Sequence, residues 1–288
     1  MDSMKLKAYG KINLGLDVVR RREDGYHEVK MIMQTVNIYD RIFIKKNDSG
    51  EIKIKTNLFY LPNNSDNIMY KAKKLLFDEF GIKEGLDINL QKNIPVSAGM
   101  AGGSTDAAAV MFGINVMFRL GLSIEELMER AVKIGADVPY CLLRGTALSE
   151  GIGEKLTRLS PPPNCFIVIA KPGFGVSTKH VYQNLNLDGL ERHPDIDGLM
   201  EAIKNKDLKK MSEKMENVLE TVTAKEHPEI NRLKQLMLEC GACVSLMSGS
   251  GPTVFGLFEK KEDANKAKKI IASKKLAKQV FVTRFFNI

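Results

Sequence analysis

Over the first 60 residues, apolar and polar side chains alternate in short runs rich in branched residues. This is the period-2 pattern of strands with one buried face. The runs fall at 6–9, 12–19, 29–36, 41–46 and 51–55. Asp24-Gly25 and Asp48-Ser49-Gly50 supply turn chemistry between them. The period then lengthens to that of a helix over 67–80, with Ser65 and Asp66 as candidate caps and Gly81 as the stop. A strand follows at 86–90, and helices are predicted at 104–118 and 123–134. Ser123 and Glu126 open the second of these with capping-box spacing. Pro161-Pro162-Pro163 marks a candidate boundary between domains 1–160 and 161–288. Beyond it the pattern predicts a buried strand at 166–170, helices across 177–240, strands at 243–247 and 253–258, a basic helix over 259–278 and a last strand at 279–285. That order predicts an α+β fold with helices on one face of an antiparallel sheet. There is no internal repeat and no low-complexity tract.

Composition narrows the function classes without naming one. The chain has 288 residues, 44% hydrophobic and 27% charged, an ordinary globular balance that argues against disorder. No apolar run approaches the roughly 20 residues of a membrane span. The first residues lack the unbroken apolar core of a secretory signal. A cytoplasmic protein with no membrane partner is therefore expected. Cys141, Cys165, Cys240 and Cys243 are too few for a disulfide framework. Cys240-Gly241-Ala242-Cys243 has CxxC spacing, but no second pair or nearby histidines complete a zinc set. These are read as small, partly buried thiols, and no metal site is expected. The net charge of +8 favours anionic partners, either a polynucleotide or a small phosphorylated ligand. Much of the surplus lies in the basic helix, where Ala264, Ala267, Ile270 and Ile271 recur at helical spacing with no aromatic residue among the lysines. That reads as a solvated amphipathic face, with no nucleic acid bound.

Candidate chemistry concentrates in Pro95, Val96, Ser97, Ala98, Gly99, Met100, Ala101, Gly102, Gly103, Ser104 and Thr105, followed at once by Asp106 and three alanines. The glycines permit positive φ and close backbone approach, and the alanines drive a helix. A helix N-terminus offers free N–H groups and a positive dipole end, which bind phosphate. Ser104 and Thr105 add hydroxyls. The same residues also suit a turn that merely caps a buried helix. No lysine follows the glycines, so this is not a Walker A loop, and the spacing is not GxGxxG. A second cluster, Ser248-Gly249-Ser250-Gly251-Pro252, lies between two predicted strands. It suits either a hairpin turn or a close approach to a ligand or another backbone.

Taken in order, these pieces resemble the GHMP kinases. Pro95 through Ser104 is similar to that family's ATP loop, Ser248 through Pro252 to its late glycine motif, and Lys11-Ile12-Asn13 to its early lysine-bearing strand. Asp24-Gly25-Tyr26-His27 and Gly135-Ala136-Asp137-Val138-Pro139 resemble the branch that phosphorylates a cytidylyl-linked methylerythritol of the non-mevalonate isoprenoid route. Pro172-Gly173 with Val176-Ser177-Thr178 does so too.

The resemblance implies an N-terminal ribosomal-protein-type α/β domain and a C-terminal ferredoxin-like domain, with the active site in the cleft. It implies transfer of the γ-phosphoryl of ATP, brought with Mg²⁺, to the 2-hydroxyl of a small-molecule cytidylyl polyol. Asp137 is implied as base. Lys11 is implied to keep Asp137 ionised and to stabilise the attacking oxygen. Asn13, Tyr26, His27 and Tyr182 are assigned to the polyol substrate, Tyr26 and Tyr182 as stacking faces for cytosine. Asn67 is assigned to adenine, residues 95–105 to the nucleotide, and no side chain to the metal. A homoserine or mevalonate type of kinase is the alternative within the family, and a nucleic-acid-binding protein the alternative outside it. The oligomeric state is left open.

Overall fold

The alternating runs near the N-terminus join into two long strands. In the computed structural model, which describes residues 1–287, β1 spans Ser3–Arg21 and β2 spans His27–Asn47. Two short strands had been expected in each stretch. The polar interruptions at Gly10-Lys11 and Asn37 broke the pattern, while backbone pairing carries the strand through them. Asp24 closes the connection: its carboxylate accepts from Tyr26 N at 3.1 Å and from Arg22 Nη2 at 2.7 Å.

There follow β3 (Ile52–Thr56), α1 (Ile68–Phe80), β4 (Gly85–Gln91), α2 (Gly102–Met117), α3 (Ile124–Ala131), α4 (Val138–Leu143), β5 (Thr146–Gly151), β6 (Lys155–Arg158) and β7 (Phe166–Lys171). The predicted helical stretch 177–240 resolves into α5 (Thr178–Gln183), α6 (Ile196–Lys204), α7 (Leu208–Lys214), α8 (Glu220–Glu226) and α9 (Pro228–Glu239). β8 (Val244–Met247), β9 (Val254–Phe258), α10 (Lys261–Ser273) and β10 (Gln279–Thr283) complete the chain. The sequence pattern had not marked α4, β5 or β6. These elements are four to six residues long, shorter than the window over which periodicity can be read.

The chain divides into two compact units. The first contains Met1–Gly10, Ile38–Ile94 and Ala101–Leu143; the second contains Lys11–Asn37, Pro95–Met100 and the chain from Arg144 onward. The proline run at 161–163 lies inside the second.

In the first unit β3 runs parallel to β4, with Ile54 opposite Ile88, and β4 runs antiparallel to β2, with Ile44 opposite Ile88 and Ile42 opposite Leu90. The core contains Ile42, Ile44, Leu76, Ile88, Val110 and Ile114. Each such side chain stabilises the fold by roughly 1.5–3 kcal/mol when fully buried. Helix α2 sits directly on this layer: a Cβ on Gly113 would come within 2.3 Å of Ile44 Cδ1 and 2.8 Å of Leu6 Cδ1. The N-cap of α1 is Asn67, whose side chain accepts from Met69 N, rather than Ser65 or Asp66. Gly81 ends that helix with φ of 63°. Ser123 and Glu126 form the expected capping box on α3.

In the second unit β5 pairs antiparallel with residues 29–34 of β2 and with β6. Separately, β7 to β10 form an antiparallel sheet in the order β10-β7-β9-β8. Numbered within that sheet, the order is fourth, first, third, second, with α9 before β8 and α10 between β9 and β10. This is the split βαβ arrangement of a ferredoxin-like fold. β9 is buried along its whole length, as a central strand covered on both faces must be. Ala264, Ala267 and Ile271 of α10 are buried, so its lysines lie on the opposite, solvated face.

Gly81→Ala tests the left-handed stop of α1 cleanly, because nothing lies within 4 Å of the added methyl. It should cost about 1 kcal/mol, the penalty for an L-residue in that conformation, read from the shift of a urea unfolding curve.

Candidate active site

The second unit brings the two glycine-rich segments into contact. Ser97 and Gly99 take φ of 49° and 69°, which turns the carbonyl of Gly99 toward the other segment. Ser248 Oγ donates to that carbonyl at 2.9 Å. A Cβ on Gly99 would lie 2.1 Å from Ser248 O, well inside any real contact. Gly249 faces the same place, with Gly99 O 3.3 Å from its would-be Cβ. The Ser248 through Pro252 segment does join β8 to β9 as a hairpin, and it also grips the first loop.

Three side chains hold the hairpin in shape. Asn217 Nδ2 donates to Met247 O and Gly249 O, both at 2.8 Å. Thr223 Oγ1 donates to Ser250 O at 3.1 Å. Thr178 Oγ1 lies 2.9 Å from Ser250 Oγ, which ties in the Pro172 through Thr178 segment.

Lys11 and Asn13 lie beside these loops. Lys11 is 5% exposed and Asn13 is fully buried, unlike an ordinary surface lysine on a strand. Lys11 Nζ donates to Asn13 Oδ1 at 2.7 Å, and Lys11 N donates to Met100 O at 3.1 Å. Asn13 Nδ2 points at Met31 Sδ, 3.2 Å away. Asn13 Oδ1 is 3.5 Å from the would-be Cβ of Gly249. The ammonium is thus fixed by one amide within reach of two glycine loops.

The aromatic candidates fall in the same unit. Tyr26 is 61% exposed, next to the β1–β2 turn. His27 and Tyr182 are ring neighbours, with centroids 5.3 Å apart at 40°. Tyr182 therefore pairs with His27 in the structure as it stands. Burial first, and the Arg21 charge second, push the His27 imidazole below its usual range, which favours the neutral ring.

The first unit carries the helix end of the glycine-rich segment. Ala101 caps α2 in the left-handed conformation, φ 54°, with no side-chain hydrogen bond to the helix N–H groups. Ser104 is half-buried and Thr105 is buried. Asn67 is fully engaged: Oδ1 accepts from Met69 N at 2.9 Å and Nδ2 donates to Pro62 O at 2.6 Å. Asp137 immediately precedes α4, its carbonyl accepting from Cys141 N at 3.1 Å. Its side chain is half-buried.

One cluster escaped the sequence reading. Lys92 Nζ lies 2.5 Å from Asp40 Oδ2 and 2.8 Å from Asp106 Oδ2, with all three side chains buried. A Cβ on Gly102 would come within 3.1 Å of Lys92 Nζ, so the cluster forms the floor under the first residue of α2. A signal was present. Leu86, Ile88, Leu90 and Lys92 share one strand face, and so do Asp40, Ile42 and Ile44. In each case a charge occupies a core position.

Comparison with known proteins follows the same outline. Residues 67–145 match the profile of the GHMP kinases N terminal domain, and residues 199–278 match that of the GHMP kinases C terminal. The chain is 57% identical to a 4-diphosphocytidyl-2-C-methyl-D-erythritol kinase of Lachnoclostridium phytofermentans, over 100% of this chain and 99% of that protein. It is 50% identical to the Clostridium perfringens protein of the same name, over 99% of each. Among solved structures, a 4-(cytidine 5'-diphospho)-2C-methyl-D-erythritol kinase superposes with a TM-score of 0.84 at 30% identity, over 99% of this chain and 100% of that one. A homoserine kinase from Cytophaga hutchinsonii superposes with a TM-score of 0.76 at 20% identity, over 98% of this chain and 95% of that one, a likeness of fold alone.

The contact between the glycine loops predicts two graded effects. Ser248→Ala removes one hydrogen bond and should cost about 1 kcal/mol. Gly99→Ala adds left-handed strain to a backbone collision and should cost at least ~2 kcal/mol. Denaturant unfolding of both variants measures the order, and equal costs would mean that the close approach is not required.

Proposed function

The chain belongs to the GHMP kinases, in the branch of the 4-diphosphocytidyl-2-C-methyl-D-erythritol kinases, and from that membership we propose how its residues carry out phosphoryl transfer from ATP to the 2-hydroxyl of that cytidylyl polyol. The observation that carries the reading is the interlock of the two glycine loops beside a buried lysine. A turn that served only to cap α2 has no need of a second glycine loop or of Lys11.

The α2 N-terminus and residues 95–105 bind the ATP phosphates through backbone N–H groups, with the half-buried Ser104 hydroxyl beside them. Mg²⁺ brought with the nucleotide would neutralise part of the phosphate charge, and no side chain is assigned to it. Asn67 shapes the adenine end by fixing the start of α1.

Phosphoryl transfer has a loose transition state, so positioning and charge stabilisation dominate. The substrate oxygen forms a bond to the γ-phosphorus as the bond to the bridging oxygen breaks, and ADP leaves with that electron pair. Asp137 takes the hydroxyl proton. A carboxylate suffices in this role because little deprotonation is needed before the phosphorus is reached. Lys11, held by Asn13, stabilises negative charge on the attacking oxygen, and Asn13 contacts the polyol. Tyr26 offers an exposed face for cytosine. The neutral His27 ring, backed by Tyr182, hydrogen-bonds the edge of the base. This activity suits the cytoplasm, and residues 1–160 and 161–288 are proposed as its nucleotide-binding and ferredoxin-like portions.

Asp137→Ala is expected to fold, to keep the KM for ATP within about threefold, and to lose about 10²–10⁴ in kcat. A coupled ADP-release assay measures this, and near-normal turnover removes Asp137 from the mechanism. In the same assay Tyr26→Ala should raise KM for the cytidylyl substrate about tenfold, the loss of one stacking contact of roughly 1–1.5 kcal/mol, and leave that for ATP unchanged.

A further inference from the structure

The buried charge cluster beneath α2 has no part in the chemistry above, and its two carboxylates are not alike. Asp40 Oδ1 accepts from Asn93 N at 2.5 Å and Ile94 N at 2.8 Å, and its Oδ2 accepts from Lys92. Asp106 Oδ2 accepts from Lys92, and the other carboxyl facing it is that of Asp40. Asp106 Oδ1 is buried with no hydrogen-bond partner. An ionised carboxylate is costly to bury with one oxygen bare, whereas the neutral acid is far less so.

We propose that Asp40, Lys92 and Asp106 form a positioning device for the nucleotide phosphates, in which Asp40 is the standing anion, Lys92 its cation and Asp106 a neutral acid. The charged groups facing Asp106 are Lys92, just past β4, and Asp40 on β2. Burial pushes the Asp106 carboxyl well above its usual range, Lys92 opposes this, and Asp40 adds to it. Burial alone would lower the Lys92 ammonium, and the charge of Asp40 together with the hydrogen bonds to both carboxyls opposes that. The cluster then carries no net charge. A second ionised carboxylate at this place would set a negative charge just below the helix opening and repel the phosphates that the α2 dipole attracts. Gly102 also rests on Lys92 and Ile94, each 3.1 Å from where a Cβ would lie, so the ammonium sets the height of the loop with Ile94. The link to nucleotide phosphates rests on the kinase reading above; the neutrality of Asp106 does not.

Asp106→Asn keeps the shape of the side chain and makes it permanently neutral. The full chain and this variant are compared by infrared spectroscopy, ADP binding and steady-state kinetics with ATP. At neutral pH the carbonyl band of a protonated carboxyl is expected in the wild type and lost in D106N. Because D106N removes no charge from a neutral acid, it should not tighten ADP binding. Asp40→Asn, which disturbs the anion, should raise KM for ATP about tenfold with kcat within about twofold, the mark of lost positioning. The proposal is overturned if no such band disappears in D106N, or if D106N tightens ADP binding about tenfold, as removal of an ionised carboxylate requires. An unchanged KM for ATP in a folded D40N protein overturns the positioning role. A wild-type band without any ADP binding keeps the neutral acid and removes the nucleotide from the proposal.

Discussion

At Gly99 and Ser248 two backbones approach more closely than any side chain permits, and much of the second unit is arranged around that approach. A methyl on Gly99 would lie 2.1 Å from the Ser248 carbonyl. The contact needs positive φ at Gly99, Gly249 and Gly251, which only glycine adopts without strain. It needs a donor, Ser248 Oγ, so that the buried Gly99 carbonyl is satisfied. It needs Asn217 to fix the hairpin from behind. Asn217 in turn is placed by the backbone bonds between Leu16 and its neighbours Glu216 and Val218. A single requirement, backbone against backbone, thus reaches from the first strand to the last sheet.

Elements with a long, clean period were legible in the sequence. α1, α3, α10 and the strands of the ferredoxin-like sheet repeat one period over several residues, and α1 and α3 are bounded by a glycine stop and a capping box. The misses have a common physical cause. β1 and β2 looked like pairs of short strands because Gly10-Lys11 and Asn37 interrupt the alternation, and a strand tolerates such interruptions once its neighbours pair with it. α4, β5 and β6 owe their state to tertiary packing, since four to six residues cannot express a preference of their own.

The site was legible in a different way. Glycine clusters advertise backbone freedom, so residues 95–105 and 248–252 stood out as unusual; that they touch each other did not, because 149 positions separate Gly99 from Ser248. Lys11 gained meaning from its resemblance to a family, not from its strand. The chain is rich in lysine, and nearly all of it is solvated; Lys11, Lys92 and Lys171 are the buried exceptions among the described residues. Such a lysine must be matched to partners before it can be buried, and partners distant in sequence are what a single chain read in order conceals. Lys92 needs Asp40, 52 positions earlier, and Asp106, 14 later.

The interleaved course of the chain has a consequence for how this protein can be made and divided. The chain passes from one compact unit to the other five times, within β1, within β2, on either side of residues 95–100 and after α4. A cut after residue 143 leaves every segment of the first unit on one fragment but strips residues 11–37 and 95–100 from the second. The second unit cannot be secured early in synthesis, because it draws strand residues from the first 37 positions and sheet residues from the last 45. Stability here is earned late, when distant segments close on one another. A chain that stops anywhere before its last sheet therefore leaves the second unit unfinished, however much of its beginning has already been made.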